Sequence, residues 1–204
     1  PYTTLFRSSR NALKLADIKR QFEKDFGISV ATLPVDLAQG GSARSVYDET
    51  LRRKMDIHVL VNNAGFAIGG ELADRDAQQV GEMIHLNVTT LTELCLLFGR
   101  DMKKKRSGHI LNVASTAAYQ PLPYLAAYGA TKSYVLNFSE ALAKEMEDYN
   151  VVVTALSPGP TDTNFFDRVG VDGLAQKQKG IWAKNKRMKA REVAEIGVEA
   201  LFAK

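Results

Sequence analysis

Tyr128 and Lys132 lie four residues apart in a segment with helical periodicity. This spacing places both side chains on one face of a helix, about one turn apart. A nearby ammonium group favours tyrosinate and lowers the pKa of a phenol from about 10, so that the phenol can donate a proton to a carbonyl oxygen or remove one from an alcohol. The pair alone is weak evidence, because a helical tyrosine and lysine at this spacing are usually a core ring and a solvated amine.

Two further polar residues fit the same chemistry. Ser115 precedes Tyr128 by thirteen residues, at the predicted carboxyl end of a strand, where its hydroxyl can hydrogen-bond the same carbonyl oxygen. Asn87 falls on the apolar stripe of its predicted helix, and a buried amide without partners costs roughly 1–3 kcal/mol. We expect Asn87 either to bridge a water molecule to the Lys132 ammonium or to cap a local irregularity of its helix.

The elements that position these residues alternate between strand and helix. Apolar, β-rich segments predict strands at 28–35, 57–61, 110–114 and 151–156, and apolar periodicity predicts helices at 11–26, 42–54, 78–104, 126–148 and 190–202. Strands that are apolar on both faces and alternate with helices form a parallel sheet covered on both sides. The sequence predicts one α/β domain over residues 1–204, a doubly wound parallel sheet of Rossmann type.

Ligands of such a sheet bind beyond the carboxyl ends of its strands. The predicted strand ends carry polar and small residues that are candidates for ligand contacts: Asp36 and Leu37, then Asn63, Ala64 and Gly65, then Ser115, and finally Pro158, Gly159, Thr161 and Thr163.

In this order and spacing, the motifs resemble the short-chain dehydrogenase/reductase family from about residue 9 to residue 204. The resemblance implies an oxidoreductase that interconverts a carbonyl and a secondary alcohol with NAD or NADP, NADP being favoured. It implies that Tyr128 is the general acid and base, that Lys132 lowers its pKa and binds the nicotinamide ribose, that Ser115 orients the carbonyl and that Asn87 holds a relay water. The strand-end residues named above would contact the cofactor.

The resemblance also implies features that this chain lacks. A first strand and a glycine-rich G-x-G-x-x-G turn, which would seat the pyrophosphate, do not occur. Residues 1–8 resemble a translated sequencing adapter, so we expect them to be non-native, and the basic residue that would contact a 2′-phosphate falls at about Ser8. The C-terminus also looks cut short. Because strand order is 3-2-1-4-5-6 in this fold, strand 28–35 should be separated from strand 57–61.

Composition limits the other possibilities. The chain has 204 residues, 45% of them hydrophobic, and a net charge of +4, and the basic run at 103–106 falls at a predicted helix end, so no nucleic-acid partner is expected. No apolar run approaches the roughly 20 residues of a membrane span. The single cysteine, Cys95, suits a reducing compartment, which favours a cytoplasmic location.

Other interpretations fit less well. A serine hydrolase needs a histidine near Ser115. His58 and His109 begin strands, at the far edge of the sheet from Ser115, and His85 lies on a different helix face from Asn87. The three histidines also lack the spacing of metal ligands, which argues against a metal site. A cofactor-binding or regulatory protein without catalysis and an inactive fragment are the remaining alternatives.

We also expect residues 163–182 to form a substrate lid. Apolar residues off the main helix stripes predict a homodimer or homotetramer: Leu94, Leu97, Tyr134 and Phe138.

Overall fold

The computed structural model describes residues 4–163, 165 and 187–203. The elements in chain order are β1 (Thr4–Ser9), α1 (Ala12–Phe26), β2 (Ser29–Pro34), α2 (Ser42–Arg52), β3 (Val59–Asn62), α3 (Ala77–Ile84), α4 (Leu91–Lys105), β4 (Gly108–Val113), α5 (Ala126–Met146), β5 (Val151–Leu156), β6 (Thr161–Asp162), β7 (Met188–Lys189) and α6 (Ala190–Phe202). The alternation predicted from the sequence is confirmed, and the predicted bounds of β5 and α6 agree with the structure.

Local sequence signals explain where α1 begins and ends. The Asn11 side chain accepts a hydrogen bond from the Lys14 backbone N–H at 2.9 Å, which satisfies a free donor of the first turn. At the other end Gly27 adopts a left-handed conformation with φ 62°, which costs glycine no steric strain, and its N–H returns to the Glu23 carbonyl. The chain can therefore turn directly from α1 into β2.

One predicted helix is divided in the structure. The apolar pattern predicted a continuous helix over 78–104, but His85–Thr90 form a π-helical segment between α3 and α4. A π-helical turn inserts an extra residue per turn and shifts the helix face, and such turns are frequent at functional sites. Asn87 lies within this segment.

The strands are parallel and are covered by helices on both faces. Strands β3, β4 and β5 pair in that order, and β1 pairs with β2. Ile110 and Leu111 point to opposite faces of β4 because successive side chains alternate. Ile110 approaches Gly99 of α4 and Leu111 approaches Gly197 of α6, so these two helices lie on opposite faces of the sheet. This arrangement confirms the doubly wound α/β architecture.

The main hydrophobic core fills the layer between the sheet and helices α2, α4 and α5. It includes the buried side chains of Val46, Leu94, Phe98, Met102, Ile110, Val135 and Val151. Leu94 was expected to face a second subunit, but it is buried in this core, because it lies one turn from the buried Leu91 and Phe98 on the same face of α4. In the described part of the chain, no helix combines the length and apolar character needed to cross a membrane.

The sheet is divided between β1 and β3. In the described residues no hydrogen-bonded ladder joins these strands, and both line a cavity of about 1510 Å³. Val61, in the middle of an apolar strand, is 52% exposed. The predicted separation of the strand at 28–35 from the strand at 57–61 is therefore confirmed, with residues 4–9 pairing beside β2. Unpaired parallel edges leave backbone donors and acceptors without partners.

We predict that the isolated 204-residue polypeptide is unstable or aggregates, and that it binds no dinucleotide tightly. The physical reason is the pair of open strand edges and the apolar side chains exposed between them. Differential scanning calorimetry and light scattering, with and without NADPH or NADH, measure this directly. A cooperative unfolding transition that shifts upward on adding either dinucleotide would contradict the prediction.

Candidate active site

Helix α5 carries Tyr128 and Lys132 on a buried face, each with only 7% of its surface exposed. The Lys132 Nζ donates a hydrogen bond of 2.7 Å to the Val113 carbonyl at the end of β4. The ammonium lies 5.9 Å from the centre of the Tyr128 ring. The four-residue spacing thus gives the predicted juxtaposition, and the strand end fixes the position of the lysine.

The ionisation of these two groups is controlled by burial. Burial lowers the pKa of Lys132 to about 8, because the charged ammonium is taken out of water. Burial raises the pKa of Tyr128, and the neighbouring Ser115 hydroxyl partly offsets this effect. The sequence predicted a lowered phenol pKa. The structure differs because desolvation of the ring is the largest effect, so the phenol is neutral and can donate a proton at neutral pH.

Ser115 joins the end of β4 to the turn that follows. Its Oγ accepts a hydrogen bond from the Ala117 N–H at 3.1 Å and lies 3.5 Å from the Pro158 carbonyl, to which it can donate. The hydroxyl therefore lies between the Tyr128 phenol and the strand end that carries Pro158. This is the position from which it can orient a carbonyl oxygen.

Asn87 contacts the backbone of the turn after β3. Its Nδ2 donates to the Phe66 carbonyl at 3.0 Å and to Thr131 Oγ1 at 3.1 Å, and its Oδ1 accepts from the Phe66 N–H at 3.2 Å. These hydrogen bonds explain why the polar Asn87 side chain can lie on the apolar stripe of its helix. Both amide hydrogens are used, so the side chain acts here as a link between the turn after β3 and helix α5.

Gly65 allows this arrangement. A Cβ atom at position 65 would lie 3.0 Å from Asn87 Oδ1 and 3.7 Å from Lys132 Nζ. The first distance is shorter than real Cβ atoms normally tolerate, so a larger residue would push the two side chains apart. The absence of a side chain at position 65 keeps the turn close to both catalytic candidates.

The strand-end candidates gather at one cavity. Its lining includes Asp36, Leu37, Asn63, Ala64, Gly65, Ser115, Tyr128, Lys132, Pro158, Gly159, Thr161 and Thr163. Asn87 is the exception, since it lies behind Gly65. Leu37 also belongs to the hydrophobic core, and its carbonyl accepts bonds from Ser42 and Thr90.

Asp36 stabilises the loop that follows β2. Its Oδ1 accepts a hydrogen bond from the Ala38 N–H at 3.0 Å, while its Oδ2 lies 3.9 Å from the Arg10 guanidinium. The sequence analysis did not name Arg10. It expected the basic residue that contacts a 2′-phosphate at about position 8. The signal was present, because Arg10 follows directly after the last residue of β1.

A buried polar network behind the site was also missed. Asn62 Nδ2 donates to Asn112 Oδ1 at 2.9 Å, and Asn112 Nδ2 donates to Ser139 Oγ at 3.0 Å. This network connects β3, β4 and α5. Cys95 contacts the same two amides, and burial raises its pKa to about 12, so it is a thiol of low reactivity.

The expected lid at 163–182 lies mostly outside the described residues. Of this range the structure describes Thr163 and Phe165. The Phe165 ring packs against the Tyr128 ring with centroids 5.6 Å apart and planes inclined by 52°. Within the described residues there is no cluster of histidine, cysteine and carboxylate side chains able to hold a metal ion.

A covered parallel sheet whose strand ends meet at one cavity defines a Rossmann-type ligand-binding domain. A sequence model described as short chain dehydrogenase matches residues 2–172. The chain belongs to this family.

Particular relatives show the same likeness. The chain is 31% identical to the 3-ketodihydrosphingosine reductase of Bacteroides thetaiotaomicron over 145 residues, which cover 71% of this chain and 54% of that protein. It is 28% identical to an NADP-dependent 3-hydroxy acid dehydrogenase of Schizosaccharomyces pombe over 198 residues, or 97% and 76% of the two chains. The chain thus spans about half of the Bacteroides reductase.

A solved structure extends the comparison. A short-chain dehydrogenase from Sphingobium yanoikuyae in complex with NADPH matches with a TM-score of 0.85 and 27% identity. The match covers 97% of this chain and 75% of that one.

We predict that replacing Lys132 by methionine changes how stability depends on pH. The folded-state pKa of about 8 lies below the ordinary 10.5, so the unfolded state binds more protons between these values. The free energy of unfolding of the wild type should therefore rise by about 3 kcal/mol relative to Lys132→Met as pH increases through this window.

Parallel urea unfolding of the natural full-length polypeptide and its Lys132→Met variant, from pH 7 to 10.5, measures this difference. Lys14→Met is the control, because Lys14 is exposed and its difference should stay constant. A pH-independent difference for Lys132→Met would show that the lysine is not desolvated.

Proposed function

We propose that the protein is an NAD(P)(H)-dependent oxidoreductase that interconverts a carbonyl and a secondary alcohol. The observation that carries the proposal is the buried Tyr128 phenol, which lies beside Ser115 and near a Lys132 ammonium bound to the Val113 carbonyl. The membership of the short chain dehydrogenase family supports it.

The proposed mechanism assigns each of these side chains one task. Ser115 Oγ donates a hydrogen bond to the carbonyl oxygen, and the neutral Tyr128 phenol donates its proton to that oxygen as the alcohol forms. A nicotinamide cofactor held at the strand ends would supply the hydride in reduction and accept it in oxidation. The Lys132 ammonium stabilises the tyrosinate that remains. Asn87 holds the turn at Phe66 and is proposed to keep a relay water near Lys132.

The residues present fit the nicotinamide half of such a cofactor. Gly65, which has no side chain to fill the space beside Lys132, and the strand-end residues Pro158, Gly159 and Thr161 line the cavity at this end. Asp36, Leu37, Asn63 and Ala64 are proposed to contact the adenosine half, and Thr163 the nicotinamide half.

The division of the sheet supports a proposal about the whole polypeptide. We infer that the full-length protein is one domain in which a further parallel strand, followed by a glycine-rich turn, fills the part of this cavity between β1 and β3 and leaves the part at the carboxyl ends of the strands open to ligands. We keep the proposal that residues 1–8 derive from a sequencing adapter, although residues 4–9 form β1. Sequencing the gene from its source would test this origin.

A cytoplasmic location is proposed from the single, buried Cys95.

We predict that Tyr128→Phe lowers kcat for carbonyl reduction by a factor of roughly 10² to 10⁴, because the proton donor is lost while the ring that packs against Phe165 is kept. Turnover of a panel of ketones by the full-length protein, with NADPH and NADH, measures it. Tyr119→Phe is the matched control, since the Tyr119 hydroxyl bonds Ser157 on the protein surface. Near-normal turnover by Tyr128→Phe would refute the assignment of Tyr128, whereas no turnover of any ketone by the wild type would favour a cofactor-binding role without this chemistry.

We predict that NADP is preferred over NAD and that Arg10 is responsible. Arg10 follows β1 and lies 3.9 Å from Asp36, on the proposed adenine side, where a guanidinium can pair with a 2′-phosphate. Arg10→Ala should raise the KM for NADPH about tenfold or more and leave that for NADH nearly unchanged, whereas Lys14→Ala should change neither. An equal effect on both cofactors would contradict this role.

We predict a homodimer or homotetramer in which helices α4 and α5 form an interface. The Tyr134 hydroxyl lies 3.0 Å from Thr92 Oγ1, Tyr134 stacks on Phe138, and Leu96 is exposed one turn from Thr92. These contacts join α4 to α5 beside the exposed side chains of Leu96 and Tyr134. Light scattering on the full-length protein should show an oligomer that Tyr134→Glu dissociates; a monomer at micromolar concentration would be the contrary result.

A further inference from the structure

A second hydrophobic cluster packs around Tyr128. It contains the buried side chains of Ala67, Met83, Ala117 and Leu125, with Phe66, Ile68, Val80, Leu122, Ala127 and Phe165 packed against them. Tyr128 itself is a member of this cluster. Part of it, including Phe66, Leu122 and Phe165, lines the cavity. These cavity-lining members of the cluster form an apolar wall, and Tyr128, the proposed proton donor, lies beside this wall.

Hydrogen bonds between two loops hold this wall in place. The Gly70 N–H donates to the Tyr124 carbonyl at 2.8 Å, which joins the loop after β3 to the loop before α5. Tyr124 has φ 66°, an uncommon left-handed conformation for a residue other than glycine. The Asn87 amide bonds both backbone groups of Phe66. The wall is therefore formed before any substrate binds, as apolar ligand sites usually are.

Phe165 completes the enclosure of the phenol. Its ring lies 5.6 Å from the Tyr128 ring, although it is 37 residues further along the chain. A substrate whose carbonyl oxygen reaches the Tyr128 hydroxyl and Ser115 must place one of its substituents against Phe165, Phe66 or Leu125.

The charges near this wall are few among the described residues. The side chains of the cluster itself are uncharged, and the residues that line the same cavity include Lys132, the neutral Gln120 and Arg187, which is exposed and precedes β7. An apolar wall gives a carboxylate on the bound substituent no hydrogen-bond donors, and burying such a charge is costly. The alternative substrate, a keto acid, would depend on Arg187.

We propose that the substrate is an uncharged ketone with an apolar, preferably aromatic, substituent, and that Phe165 is a specificity-determining residue that packs against that substituent. This inference rests on the proposed carbonyl–alcohol function and adds the substrate class to it.

Three ketones of the same basic shape test the substrate class: 4-phenyl-2-butanone, 2-hexanone and levulinate, with methyl levulinate as the neutral form of the last. For the full-length protein we expect kcat/KM to decrease in the order aromatic, aliphatic, keto acid. The keto acid should be poorer than its methyl ester by roughly 100-fold, since the ester replaces the carboxylate charge by a neutral group that is larger by one methyl. A keto acid preferred over its ester, with the preference abolished by Arg187→Ala, would overturn the inference while leaving the oxidoreductase function intact.

Substitution at the wall tests the role of Phe165. Phe165→Ala should lower kcat/KM for 4-phenyl-2-butanone about tenfold, mainly through KM, and affect methyl levulinate much less. Phe26→Ala is the matched control, because Phe26 is an exposed ring on α1 that packs edge-on against Phe22. Equal losses for all ketones, or no loss, would overturn the assigned role; unfolding temperatures of the variants identify a general loss of folding.

Binding measured by saturation-transfer NMR separates the two proposals. If no ketone is turned over but 4-phenyl-2-butanone binds and Phe165→Ala weakens that binding, the apolar site stands and the proposed function fails. If 4-phenyl-2-butanone does not bind to the folded full-length protein with NADP present, the inference fails.

Discussion

The hydrogen bond from Lys132 to the Val113 carbonyl is the contact on which the site depends. It joins α5 to the carboxyl end of β4 and holds an ammonium group where water is excluded. A buried charge without partners is costly, so the lysine is stable there only if this carbonyl and its neighbours remain in place. The same strand end also continues into Ser115. One interaction therefore sets the relative positions of the hydroxyl, the phenol and the ammonium.

The other polar contacts around the site extend this constraint to the neighbouring elements. Asn87 binds the backbone of Phe66 and the hydroxyl of Thr131, so the π-helical segment, the turn after β3 and α5 are held together. The amides of Asn62 and Asn112 and the Ser139 hydroxyl do the same one layer deeper. Buried polar groups that are fully paired favour a single arrangement, because any shift leaves a donor or acceptor unsatisfied.

The electrostatics follow from this rigidity. Because the ring of Tyr128 is enclosed by apolar side chains and Phe165, desolvation outweighs the opposite effect of the Ser115 hydroxyl and raises the pKa of the phenol. The same cavity is lined by the strand ends, Gly65 and Lys132 and by the apolar side chains of Phe66, Leu122 and Phe165, so Tyr128 borders both groups. A proton donor at this border can serve a polar cofactor and an apolar substrate at once.

The sequence by itself determined the fold class and named most of the residues of the candidate site. Periodicity and apolar strands placed β5 and α6 correctly, because local patterns alone specify those elements, and the strand-end rule collected Asp36, Ser115 and Thr161. The tertiary structure decided what depends on packing between distant segments. It buried Leu94 in the core, interrupted the helix at Asn87, raised the phenol pKa and brought Phe165 onto Tyr128. None of these follows from spacing along the chain, since each depends on which side chains surround a group after folding.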